Sequence, residues 1–339
     1  MAYSRRSRRT RLPAWSGGIQ ESLEPSFSTW YVLVRCWLCW SDLYFDSIRE
    51  TNRVMRHGKI LVVGATGRVG AAAVEQLLEA GFEVRALVRR PEKGARLGTL
   101  GAELTVGDAT ATETLEPTVR GCAGIFSALG AGPGRGAPED IEYRGNLNLL
   151  SAARSAGVGR FVYSSALLAD HPLAQRVGAF REKARFEREL MAAEGVSSTI
   201  LRPAMFMETL DMMLRGAVAF IPGRQRLPIS WIAARDIARA AVRAFQADIL
   251  GRHELAGLET ITFDEAFGRL ARARGERIRT LHVPLISLRL AGLASSYLRE
   301  LVNMMALFDT VGFATGPSVL RETFGVSALT IEEWARDDH

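Results

Sequence analysis

Gly58-Lys59-Ile60-Leu61-Val62-Val63-Gly64-Ala65-Thr66-Gly67-Arg68-Val69-Gly70 is the stretch that decides the fold. Lys59 to Val63 is a short, apolar, β-branched run, the composition of a parallel strand buried on both faces. It breaks into glycines spaced G-x-x-G-x-x-G. A helical apolar period then runs from about residue 69 to residue 80 and stops at Gly81. Strand, glycine turn and helix in that order give a glycine pattern its meaning as a dinucleotide site. Gly64 permits the tight turn, Gly67 lets the backbone approach a pyrophosphate, and Gly70 lets helix and strand pack closely. Ala65, Thr66, Arg68 and Val69 complete the turn and the helix start, whose free N–H groups and partial positive charge face the phosphates.

Working outward, strands are expected at residues 84–88, 104–106, 123–127, 160–165 and 198–201, with helices at 112–119, 139–156 and 181–193. Such alternation predicts an α/β fold, a Rossmann-type doubly wound parallel sheet with right-handed crossovers. Gly130 to Gly136 reads as a flexible loop. After Pro203 the pattern loosens into a smaller, mostly helical C-terminal part. A strand is expected at 228–232. Asp236 can N-cap a helix over 237–245. Thr262-Phe263-Asp264-Glu265 and Thr330-Ile331-Glu332-Glu333 have the capping-box spacing that starts two more helices. The apolar, Met-rich stretch 284–313 predicts a helical pair packed on the core or walling an apolar pocket. The expected organisation is an extension at 1–57, a dinucleotide-binding domain at 58–245, and a substrate or lid region at 246–339.

Composition sets the bounds. The 339 residues are 47% hydrophobic and 24% charged, as in ordinary globular chains. The net charge of +6 is uneven: residues 1–57 hold nine arginines against five acids, and the rest of the chain holds 34 bases against 32 acids. The basic balance therefore does not point to nucleic acid. Three cysteines exclude a disulfide scaffold and suit a reducing, cytoplasmic setting. No apolar run is long enough for a bilayer helix. Residues 1–57 carry an arginine cluster, four of the six tryptophans and the pair Cys36-x-x-Cys39. They read as a disordered extension or a mis-called start ahead of Met55, with a targeting segment or a membrane-surface anchor as competing readings. One C-x-x-C pair is half a zinc site, and the histidines have no ligand spacing, so no metal is expected.

The chemistry concentrates beyond the strand ends. Arg89 and Arg90 follow the second strand, where an acid would bind the ribose hydroxyls of NAD and an arginine suits a 2′-phosphate. NADP(H) is therefore expected over NAD(H), with Arg68 as a further cation. Asp108, ending the third strand, either accepts from an adenine amino group or caps a helix.

The region 59–236 resembles the atypical short-chain dehydrogenase/reductase superfamily, in its NmrA-like, NAD(P)H-binding branch. The resemblance rests on the glycine loop, Arg89-Arg90, Gly107-Asp108, Ala152-Ala153-Arg154-Ser155-Ala156-Gly157-Val158, Phe161-Val162-Tyr163-Ser164-Ser165, Lys183 with Glu187, Leu201-Arg202-Pro203-Ala204-Met205-Phe206-Met207-Glu208, and the tail around Thr330 to Trp334. The superfamily's Tyr-x-x-x-Lys pair is missing: Ala179 precedes Lys183 at that spacing, and none of the six tyrosines has a lysine four residues on. The position of the superfamily's catalytic hydroxyl near the fifth strand falls on Ser164, Ser165 or Ala166, the last of which carries none, so tyrosine-based acid catalysis is not expected. Lys183 resembles the lysine of isoflavone reductase-like relatives, which contacts the nicotinamide ribose and serves in proton transfer. That role needs burial or a neighbouring cation. An exposed i, i+4 pair with Glu187 is the competing reading, and His171 is a further conceivable acid or base. The resemblance implies an NADP(H)-dependent reductase of a small apolar carbonyl or alkene. The alternative it implies is a non-catalytic NADP(H) sensor or assembly factor with a protein partner, which an exposed apolar patch near 284–313 would favour.

Overall fold

The computed structural model describes residues 58–131, 136–292 and 295–336. The expectations for 1–57, and for the middle of the 130–136 loop, lie outside the described residues.

Seven parallel strands form the main sheet. They are β1 (Lys59–Val63), β2 (Glu83–Val88), β3 (Glu103–Val106), β4 (Gly124–Ser127), β5 (Arg160–Ser164), β6 (Ser197–Pro203) and a late strand (Gly251–Leu255), in the order β3-β2-β1-β4-β5-β6 and then the late strand. The order reverses between β1 and β4, the switch point of a doubly wound sheet. β1 shows why both faces are covered. Ile60 and Val62 enter one apolar cluster, while Leu61 and Val63 enter the other, the period-2 alternation of a strand. One face is covered by α1 (Arg68–Glu79), the other by α3 (Leu115–Val119), α4 (Gly145–Ser155) and α5 (Gly178–Ala192). The helix α2 (Pro91–Thr99) follows β2 and was not signalled by an apolar period, since only Gly94 and Leu97 of its nine residues are buried.

Past β6 come β7 (Met205–Phe206), α6 (Thr209–Met213), β8 (Leu214–Arg215), β9 (Val218–Pro222), β10 (Ile229–Ile232) and α7 (Ala234–Ala247). The late strand is β11. It draws the sheet's edge from beyond residue 245. Then follow β12 (Thr260–Ile261), α8 (Phe263–Arg274), β13 (Arg279–Val283), α9 (Leu285–Ala291), α10 (Ser296–Thr310), α11 (Ser318–Phe324) and α12 (Ile331–Arg336). Two three-stranded sheets, β12-β10-β7 and β13-β9-β8, join these helices. α7 returns to the main sheet and shares the α1 cluster through Ile237, Ala238, Ala241 and Phe245.

Both capping boxes form. Thr262 accepts from the Glu265 N–H while Glu265 accepts from the Thr262 N–H, and Thr330 and Glu333 do the same. Asp236 corrects the expectation placed on it. α7 starts at Ala234, and its first N–H donates to Glu208. Asp236 is fully buried in the first turn, and its Oδ2 accepts from the Leu329 N–H at 2.9 Å. A carboxylate capping a distant segment has the same local spacing as one capping its own helix.

Candidate functional site

The glycine turn closes by a Gly67 N–H bond to the Gly64 carbonyl at 2.9 Å, and the Ala71 N–H begins α1 on the Gly67 carbonyl at 2.8 Å. Gly64 has φ +77°, and a Cβ there would run into the Ala128 carbonyl; a Cβ on Gly70 would run into the Gly64 carbonyl. Both positions therefore demand glycine on space alone, and Gly64 also on backbone conformation. Gly67 is the N-cap of α1 and offers no side chain, and the first turn carries no acid. The helix start is left open to an anion.

A cleft of about 360 Å³ lies over this turn, lined by Gly64, Thr66, Arg89, Arg90, Asp108 and Leu129 among others. Arg89 and Arg90 are exposed and make no ion pair among the described residues. Lys93, on the first turn of α2, joins them in the lining. Ala65, Val69 and Gly70 are buried beneath the turn, and Arg68 is exposed but outside the lining. A contiguous hollow of about 410 Å³ shares Arg89, Asp108 and Ile141 and adds Arg144 and Asn148. Asp108 is not a helix cap. Its Oδ1 accepts from the Thr110 N–H at 2.9 Å and the Thr110 hydroxyl at 2.8 Å, a local turn that fixes the carboxylate at the cleft edge. A larger hollow between α4 and α5 opens at Gly157 and Gly195, the amino ends of β5 and β6. Open α/β sheets bind ligands at the opposite ends.

Lys183 lies at the far end of this geometry, behind Leu129. Its Nζ stands 2.9 Å from Glu142 Oε2 and donates to the Ser164 carbonyl at 3.2 Å and the Leu129 carbonyl at 3.4 Å. It is thus held over the ends of β4 and β5, with its side chain 13% exposed. The i, i+4 pair with Glu187, the competing reading, does not form. Both residues face inward from α5, where each takes a partner of better geometry than its helical neighbour. Arg202 of β6 grips Glu187 through Nε at 3.0 Å and a terminal nitrogen at 2.6 Å, and reaches Asp170 at 2.9 Å. Ser165 donates to Glu187. Burial pushes the Asp170 carboxyl up, but Arg202 and then Arg252 outweigh that and hold it below the usual aspartate range. His171 Nδ1 accepts from the Leu173 N–H, so the ring caps a short 3₁₀ turn.

Tyr163 is beside Lys183, whose Nζ is 5.4 Å from its ring centroid. It does not stand in for the missing tyrosine. The ring is fully buried, the hydroxyl has no hydrogen-bond partner among the described residues, and burial, then Glu142 and Glu187, push the phenol well above its ordinary value. Of the two conditions the sequence reading set for Lys183, burial is met, at 13% exposure of the side chain, while its charged neighbour is the Glu142 carboxylate rather than a cation. Glu142 itself was not signalled in the sequence, because its partners are 11 and 41 positions away.

Residues 56–335 match the NmrA-like family. The chain belongs to that family. Its family relatives carry different roles. The photosystem II assembly factor Ycf39 of Guillardia theta is 30% identical over 67% of this chain and 73% of its own length. The NAD(P)H azoreductase of Xenophilus azovorans is 27% identical over 82% of this chain and 96% of its own. Among solved structures, the NADPH-dependent quinone oxidoreductase QOR2 of Escherichia coli, in complex with NADPH, has a TM-score of 0.67 at 23% identity, covering 81% of this chain and 98% of that one. The NmrA-like chain shares the Rossmann fold of that oxidoreductase. No helix among its described residues is long and apolar enough to cross a membrane. The described residues contain no cluster of three metal-ligating side chains.

Proposed function

We propose that this NmrA-like chain is an NADP(H)-dependent reductase of a small, largely apolar carbonyl or activated alkene, working in the cytoplasm. The observation that carries this reading is the glycine cradle at the sheet's switch point, flanked by Arg89, Arg90 and Lys93 with no acid at the end of β2. The α1 N-terminus and Thr66 would hold the pyrophosphate, the three bases the 2′-phosphate, and Asp108 the adenine amino group. Bound NADPH would supply the hydride, and the product takes up one proton to balance it. Lys183 is the charged donor at the nicotinamide end, and we assign it the ribose contact and that proton. The likeness to an NAD(P)H azoreductase supports an electron-poor acceptor.

The test is NADPH oxidation by the full chain with a benzoquinone or an azo dye as acceptor, beside Lys183→Met. Turnover that falls at least tenfold in the variant supports the reading. Tight NADPH binding with no turnover on any acceptor favours a second reading, an NADP(H)-binding assembly or regulatory factor. A specific observation supports that alternative: Ile286 and Leu290, one turn apart on α9, are 64% and 66% exposed, with Leu281 and Tyr297 also exposed nearby in sequence.

A further inference from the structure

We propose that Glu142 is a positioning residue that ties the dinucleotide cleft to Lys183. It rests on the reading of Lys183 as the nicotinamide-ribose contact. Glu142 is 2% exposed and divides its carboxylate between two elements. Oε1 accepts from the Ala131 N–H at 2.8 Å, at the start of the loop that follows β4. Oε2 faces the Lys183 ammonium at 2.9 Å. The residues just before Ala131, Leu129 and Gly130, line the cleft, and the Leu129 carbonyl also accepts from Lys183. One carboxylate therefore links the cleft wall to the charged group behind it.

The backbone at Glu142 is fixed as firmly as its side chain. It sits within a π-helical turn, Glu139–Arg144, before α4. Such i→i+5 turns are rare and recur at functional sites, because they redirect a side chain without ending the helix. Asn146 donates to the Glu142 carbonyl at 2.8 Å and accepts from the Ser127 hydroxyl at 2.5 Å, so the turn is anchored to the end of β4. Burying a carboxylate is costly unless a partner compensates its charge. Here the compensating charge is the Lys183 ammonium, while the Ala131 N–H holds the other oxygen. Glu142 thus sets where Lys183 stands relative to the cofactor, without touching the cofactor itself.

The experiment compares binding of NADPH and of adenosine 2′,5′-bisphosphate, which lacks the nicotinamide half, to the full chain. Variants are Glu142→Gln, Lys183→Met and the double. The amide of Glu142→Gln keeps an acceptor for Ala131 and turns a donor toward Lys183. Each single change is expected to weaken NADPH roughly tenfold, as for charged groups in contact, and to leave the bisphosphate within about twofold. The double variant is expected to be no weaker than the worse single one, because the two residues act as one unit. Should Glu142→Gln not fold, Glu142→Asp, with its charge one methylene short, is expected to show the same NADPH-selective loss at smaller size. Unchanged NADPH binding in Glu142→Gln with weakened binding in Lys183→Met overturns the proposal and leaves the Lys183 reading standing. Unchanged NADPH binding in Lys183→Met overturns that reading and the proposal with it. Equal loss of both ligands in Glu142→Gln, or additive losses in the double variant, also overturns the proposal.

Discussion

Arg202 is 5% exposed and satisfies two carboxylates, Glu187 and Asp170. Burial opposes its charge, but the two acids more than compensate and hold the guanidinium more basic than usual. Its value lies in what its loss would strand. Arg202→Met leaves Glu187, 1% exposed, facing Ser165 and the distant Arg252 at 3.8 Å. An uncompensated buried charge costs about 3–5 kcal/mol, so urea unfolding of this variant should show a loss of that order. The double change Arg202→Met with Glu187→Gln should recover part of it. Recovery of nothing would mean that Arg202 acts mainly through packing. At this scale the sequence was readable where a residue's task is local. Gly64 and Gly70 announce themselves by spacing from a strand, as does the place of Arg89 in the cleft lining. Glu142 and the Glu187–Arg202 pair do not, because their partners are chosen by the sheet order and by an irregular turn.

The C-terminal helix α12 is held by two buried carboxylates from other elements. Asp236 of α7 accepts from the Leu329 N–H, and Glu259 accepts from the Ile331 N–H at 3.3 Å and from Arg269 at 3.3 Å. Burial raises both. The Leu329 bond and Arg239 only partly offset it for Asp236, which is pushed up to about 6 from the ordinary 3.8. A folded-state value above the unfolded one adds stability that is complete below about pH 4 and lost as the pH rises through about 6. The amount is roughly 3 kcal/mol from a shift of that size. Asp236→Asn should therefore melt higher than the parent at pH 7, with the gap closing toward pH 4. A variant that melts lower at pH 7, by a margin that shrinks toward pH 4, would show that the charge on Asp236 stabilises the dock. β1 to β6 were legible to within about two residues, since strands covered on both faces are continuous apolar runs, whereas the edge strand β11 has no such run and was not. α2 was not, because Pro91-Glu92-Lys93-Gly94 offers a proline at the first helical position but no apolar stripe. The two-residue strands β7 and β12 were illegible for another reason: they exist only through pairing with the distant β10.

The whole molecule places its glycine cradle at the one point where the sheet order reverses, and sets three bases on one side of it and Lys183 on the other. The claim on which the rest depends is that this cleft takes NADP(H) in preference to NAD(H). Thermal unfolding of the full chain with NADPH, with NADH and with no ligand, beside Arg89→Glu, tests it directly. A ligand at a hundred times its dissociation constant adds about 2.7 kcal/mol, which for a chain of this size is a rise of roughly 4–5 °C. The account predicts that rise with NADPH, a much smaller one with NADH, and loss of the NADPH effect in Arg89→Glu while its ligand-free melting is unchanged. Equal shifts with both dinucleotides, or an NADPH shift that survives in Arg89→Glu, would contradict the phosphate reading of Arg89. No shift with either would contradict the dinucleotide site.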